Sequence, residues 1–92
     1  MRRPEKNGNG DDSALVALRA LAWVLSDDMR ADRLLALTGL TPDQLRVQAD
    51  QPAMLAATVD FLRGHEPDLL ACAQAIGVTP EELAAAGRSL AA

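Results

Sequence analysis

The sequence predicts an all-α fold, a compact bundle of about six short helices with no sheet. Three observations carry that prediction. No stretch after Asp12 alternates apolar and polar residues as a strand does, and β-branched residues are few. Proline and glycine divide the chain into pieces of helical length. The heptapeptides "GLTPDQL" (Gly39–Leu45) and "GVTPEEL" (Gly77–Leu83) write the same helix joint twice, 38 positions apart.

The pieces follow in order. "SALVALRALAWVLS" forms the first helix, capped by Asp12 or Ser13, whose short oxygens can accept from free N–H groups. Met29 to Thr38 is the second, stopped by Gly39. The third, "TPDQLRVQA", has Thr41 as N-cap and Pro42 at the first helical position, where a missing N–H costs nothing. Pro52 opens the fourth, "PAMLAATVDFLRG", which Gly64 ends. The fifth, "PDLLACAQAIG", starts at Glu66 or Pro67 and stops at Gly77. Thr79 and Pro80 begin the sixth, "TPEELAAAGRSLA". At the 38-residue offset Trp23 falls on Phe61, Val24 on Leu62 and Leu21 on Val59, which suggests two pseudo-repeated three-helix units. Two units are too few for a stacked solenoid, so they are expected to share one bundle of pseudo-two-fold character.

Helix faces point to the core. Leu15, Leu18, Leu21 and Leu25 share one side of the first helix, Val16 and Trp23 lie well round from them, and Val24 lies opposite. A helix apolar nearly all round is expected at the centre of a bundle, or else with its Trp23 side covered by another chain. In the fourth helix Met54, Leu55, Val59, Phe61 and Leu62 face inward. In the sixth, Leu83, Ala86, Gly87 and Leu90 do so, and Gly87 allows a neighbour to approach closely.

The division into domains is simple. Residues 1–12 are polar, rich in Gly and Asn and without periodicity, which reads as a disordered tail. Residues 13–92 are one helical domain, near the size at which one core suffices. The opening residues have no apolar stretch close behind them of the kind a secretion signal carries, and no run approaches membrane-spanning length. A cytoplasmic location is the expectation.

Charge and composition exclude several functions. The formal net charge is −4, and all of it lies beyond residue 12, an acidic body that phosphate backbones repel. Cys72 is the only cysteine and His65 the only histidine, so neither a disulfide within the chain nor a Cys/His metal site is expected. His65 has no nucleophile or acid beside it in sequence and reads as a solvated loop residue. Cys72 shares the inward stripe of its helix with Leu69 and Ile76, as a small buried hydrophobe does. Asp27-Asp28 and Glu81-Glu82 stand at helix starts, where acids complement the macrodipole. The repeated joint has the shape of a helix-turn-helix turn, but its second helices, "DQLRVQAD" and "EELAAAGRSLAA", bring acids first into any groove.

The stretches "ALAWVLSDD", "LLALTGLTPDQLR", "MLAATVDFLRGHEPDLLA" and "AIGVTPEELAAA" together resemble an uncharacterised family of short helical bacterial proteins, classed as a domain of unknown function. The resemblance covers about residues 14–90. Its most specific pieces are the Ala-Trp pair, the Leu-Thr-Gly-Leu-x-Pro turn and the Asp-Phe-Leu stretch. It implies an acidic residue more often than histidine at the position of His65, and it implies no activity.

Function is therefore expected to be non-enzymatic, with no catalytic, cofactor-binding or metal-binding residue and no membrane or small-molecule ligand. The expected mode is contact with a protein partner or a second copy of the chain, through a surface on the first helix that includes Val16, Arg19 and Trp23. Nucleic acid is disfavoured as a partner. The alternative is a transcriptional or phage-related regulator that uses the helix-turn-helix-like turns.

Overall fold

Thr-Pro pairs and glycines set the helix ends where the sequence places them. The computed structural model describes residues 9–92, with side chains from Asp12 onward. Among these residues there are six helices and no strand: α1 (Asn9–Leu25), α2 (Asp28–Thr38), α3 (Pro42–Gln48), α4 (Pro52–Arg63), α5 (Glu66–Ile76) and α6 (Pro80–Ala91).

The two equivalent joints have equivalent chemistry. Gly39 and Gly77 adopt left-handed conformations, with φ of 75° and 81°, and donate to the Leu35 and Ala73 carbonyls. A side chain at either position would be strained, because a Cβ crowds the following carbonyl in that region. Thr41 and Thr79 then form full capping boxes. The Gln44 and Glu82 N–H groups donate to the threonine Oγ1 at 3.1 and 3.0 Å, while the Gln44 and Glu82 Oε1 atoms accept from the threonine N–H at 2.9 and 2.7 Å. Asp27 caps α2 by accepting from the Arg30 N–H at 3.0 Å.

The start of α1 differs most from the sequence reading, and α2 begins one residue earlier than expected, at Asp28. α1 begins at Asn9, so Asp12 and Ser13 lie inside the helix and do not cap it. Asp12 falls in the first turn, where its charge favours the helix N-terminus. Residues 1–8 of the expected tail lie outside the described residues.

The core is built mainly from α1, α4 and α6. α4 and α6 make the most extensive contact, and α1 packs against both. Ala17, Ala20, Leu21 and Val24 of α1 meet Met54, Leu55, Val59 and Leu62 of α4, with Leu83 of α6, Cys72 and Ala73 of α5, Leu34 of α2 and Leu45 of α3 completing the cluster. The α4–α6 crossing is close because residue 87 is glycine. A Cβ there would lie 2.6 Å from Val59 Cγ1 and 2.8 Å from Val59 Cβ. Thr58, the one buried polar residue among those described, donates its hydroxyl back to the Met54 carbonyl at 3.0 Å and so meets its own hydrogen-bonding demand.

The pseudo-two-fold character is partial. α6 runs through twelve residues and sits in the core, whereas α3 has seven and touches other helices only lightly, anchored by Leu45. Pro52 stands where Leu90 stands in the second unit, so the chain must leave helical geometry before α3 can lengthen. The position matching Gly87 is Ala49, already past the end of α3.

α1 is not buried on all sides. Leu21 is the only member of its leucine side to enter the core; Leu15, Leu18 and Leu25 remain 50%, 43% and 41% exposed. The face that α4 and α6 cover is centred on Ala17, Ala20 and Val24, whose short side chains let neighbouring helices approach closely.

Candidate interaction surface

The residues expected to form the working surface separate in the fold. Val16 is half-buried and packs against the core, at the edge of an open groove between α1 and α6 lined also by Asp12, Ser13, Ala85 and Ser89. Arg19 is exposed. Trp23 is half-buried and also packs against the core, and the Arg30 guanidinium lies over its ring, 3.7 Å from the centroid. Arg30 Nη2 donates to the Trp23 carbonyl at 3.0 Å, which holds the guanidinium in place at the C-terminal end of α1. The next helix, α2, thus supplies the cover that a partner was expected to provide for Trp23.

The bare apolar surface of α1 lies on the opposite side. Leu15, Leu18, Ala22 and Leu25 are all exposed, and their spacing of three, four and three residues is that of a coiled-coil seam. At 100° per residue they fall within an arc of about 80°. Asp12 and Arg19, one heptad apart, run along one edge of this seam; both are exposed and neither forms an ion pair with any described residue. The spacing was present in the sequence as a signal. Reading all four leucines as inward concealed it.

Leu25 extends the seam into a groove. Together with Ala31, Leu35, Pro42, Leu45 and Ala49 it lines an opening of about 370 Å³ between α1, α2 and α3, with Asp32 and Arg46 at the rim. The groove exists because α3 is short and loosely seated. Leu25 thus belongs to both the seam and the groove, and contiguous exposed apolar surface on a small protein is a mark of contact sites. Met29, Leu37, Val47 and Leu70 are exposed elsewhere, on other helices.

The reactive side chains gather on a different side, between α2 and α5. Asp68 accepts from Arg33 Nη2 at 2.8 Å, and His65 Nδ1 lies 3.0 Å from the same carboxylate oxygen. His65 occupies the N-cap position of α5, a more defined place than a free loop, although its side chain makes no capping hydrogen bond. The Arg33 guanidinium also approaches the Phe61 ring, at 5.7 Å. Cys72 is fully buried nearby, and burial pushes its thiol up to about 11; Arg30 opposes that shift and Asp68 adds to it, both more weakly. A thiol so placed stays protonated at neutral pH and has no access to solvent, which is the reverse of an activated nucleophile. No group of three or more His, Cys, Asp or Glu side chains among the described residues is arranged to hold a metal ion. No helix among them is long and apolar enough to cross a membrane.

Comparison with known proteins gives a family match. A family model described as a protein of unknown function (DUF3572) matches residues 10–92, nearly the whole chain. No curated protein and no solved structure matches.

Proposed function

The chain belongs to that family of unknown function, and we propose that it is a contact module, a non-enzymatic helical domain whose work is to bind another protein surface through α1. The observation that carries this reading is the seam of Leu15, Leu18, Ala22 and Leu25, left open on a helix whose other faces are packed. Apolar residues at heptad spacing fit the holes of a facing helix. Solvent gives such a surface nothing in return, so an exposed row of leucines is a cost to solubility that a partner removes. Two features support the absence of enzymatic work. The one thiol is held neutral and enclosed, and the one histidine is tied to a carboxylate that also binds Arg33.

The regulator reading has less support. Asp43 and Glu81-Glu82 occupy the first turns of α3 and α6, the ends that would meet a DNA groove. Arg46 is paired with Asp43 at 2.6 Å, which further reduces the positive charge that α3 could offer to phosphate.

Site-specific photo-crosslinking in the cells of origin tests the proposal. A photoreactive residue placed at Leu18 or Ala22 is expected to give a discrete adduct, and one at the exposed Gln74 of α5 is expected to give none. Equal labelling from all three positions, or no adduct from any, would sink the reading.

A further inference from the structure

The groove at the end of the seam has a charge of its own. We infer that the occupant of seam and groove is a basic amphipathic helix of another protein, with apolar residues at heptad spacing along the leucines and a lysine or arginine beside the groove. The inference rests on the contact-module reading and names the partner within it.

It stands on the charges of α2. Asp28 and Asp32 lie one turn apart, on the face of α2 whose Ala31 and Leu35 line the groove. Both are exposed, and neither forms an ion pair with any described residue. Acids four residues apart on a helix repel each other. The helix start accounts for Asp28, but Asp32 lies beyond the first turn. The two bases of α2 are held elsewhere, Arg30 over the Trp23 ring and Arg33 on Asp68. Across the groove, Arg46 is already paired with Asp43. With that pair neutral, Asp28 and Asp32 leave the groove negative. A helix that covers the seam is steered and held by bases at this end. Farther along α1, Asp12 and Arg19 offset each other, so the demand for positive charge is confined to the Leu25 end.

A second copy of the chain does not meet that demand. It carries a net charge of −4, and the register that joins the seam to itself opposes Arg19 to Arg19. Among the described residues, the arginines other than Arg19 and Arg88 are held by an acid or by Trp23. Nucleic acid and anionic membranes are repelled by the same charge.

Two synthetic helices of the length of α1 form the test. Both carry leucines at the seam's own spacing with glutamine between them. One has lysines at both ends of the row and the other glutamates, so either orientation brings a charge to the groove. Fluorescence anisotropy of each labelled helix, titrated with the full chain, is the readout. The lysine helix is expected to bind about tenfold more tightly at low salt, by a margin that shrinks as salt is raised. Asp32→Lys is expected to weaken its binding about fivefold and to strengthen that of the glutamate helix, a gain that shows the variant is folded. Glu66→Lys makes the same change of charge on the α2–α5 side and is expected to alter neither, which separates the groove from the general acidity of the chain. Leu18→Glu is expected to abolish binding.

Equal affinity for the two helices, or an effect of Glu66→Lys as large as that of Asp32→Lys, overturns the inference. If Leu18→Glu still abolishes binding in that case, the contact-module reading survives. Dimerisation of the wild-type chain that Leu18→Glu abolishes, seen by sedimentation, also overturns the basic partner and leaves the seam as a contact between copies. Failure of both helices to bind overturns it too, and leaves the contact-module reading to the photo-crosslinking.

Discussion

Gly87→Ala isolates the contact on which the α4–α6 crossing depends. Two effects of opposite sign compete. Alanine is the better helix former, by about 1 kcal/mol in a helix interior, and α6 would gain that amount were residue 87 free of neighbours. It is not free. The added Cβ would sit 2.6 Å from Val59 Cγ1 and 2.8 Å from Val59 Cβ, in a place where Val59 is wholly buried. A rotamer change can move Cγ1 but not Cβ, so the helices must part, and overpacking of this kind costs about 1–3 kcal/mol. With the backbone-proximal contact unrelieved, the upper part of that range applies, and the net loss is about 2 kcal/mol. For a domain of this size that lowers Tm by roughly 10 °C. Urea unfolding followed by circular dichroism measures it. Val59→Ala removes Cγ1 and leaves Cβ, so Gly87→Ala should cost less in that background but still destabilise. If Gly87→Ala raises stability by the helix-propensity increment, α6 does not lie against Val59 and the core described above is wrong.

Three further predictions follow from the same structure. Thr79→Ala should cost about 1 kcal/mol of global stability through loss of its capping box, whereas Thr41→Ala should loosen α3, seen as faster amide exchange there, with a smaller global effect. Equal global effects would contradict the peripheral place of α3. Because the Cys72 thiol is raised from 9.0 to about 11, its contribution is complete below pH 9 and is lost as the pH rises from 9 to 11. The urea midpoint should fall across that window, and Cys72→Ala should remove that part of the fall; an unchanged pH profile in the variant would assign the fall to other groups. Leu18→Glu should leave the unfolding free energy within about 1 kcal/mol of wild type, while Leu21→Glu, one turn on and fully enclosed, should prevent stable folding. Similar damage from both would mean that the leucine side of α1 is buried after all.

Much of the architecture was legible in the chain because its punctuation is strong. Gly39 and Gly77 end helices where φ must be positive, and Thr-Pro begins the next helix by supplying an acceptor and a pre-set φ. These are local rules, and tertiary context did not override them. The inward faces of α4 and α6 were legible too, since Asp60, Arg63, Glu81 and Arg88 mark the wet side. α1 offered no such mark. With Arg19 alone charged in its middle, leucine, alanine and valine are equally able to face inward, and the choice fell to how closely α4 and α6 approach. Close approach selected Ala17 and Ala20 and left the longer Leu15 and Leu18 outside. The cover over Trp23 was hidden for a similar reason, as Arg30 reaches it from the next helix. The inequality of the two units was written in Pro52, whose counterpart is Leu90, but its consequence for packing appears only once α6 is seen in the core.

The proposed function rests on the open leucine seam of α1 as the surface through which this protein works. Its most direct test is the native size of the protein in an extract of its own cells, wild type against Leu18→Glu, both at the normal level of expression. The wild-type chain of 9.7 kDa is expected to migrate in a larger species, and Leu18→Glu, still folded, to fall to the size of the monomer. Identical migration of the two proteins would contradict it.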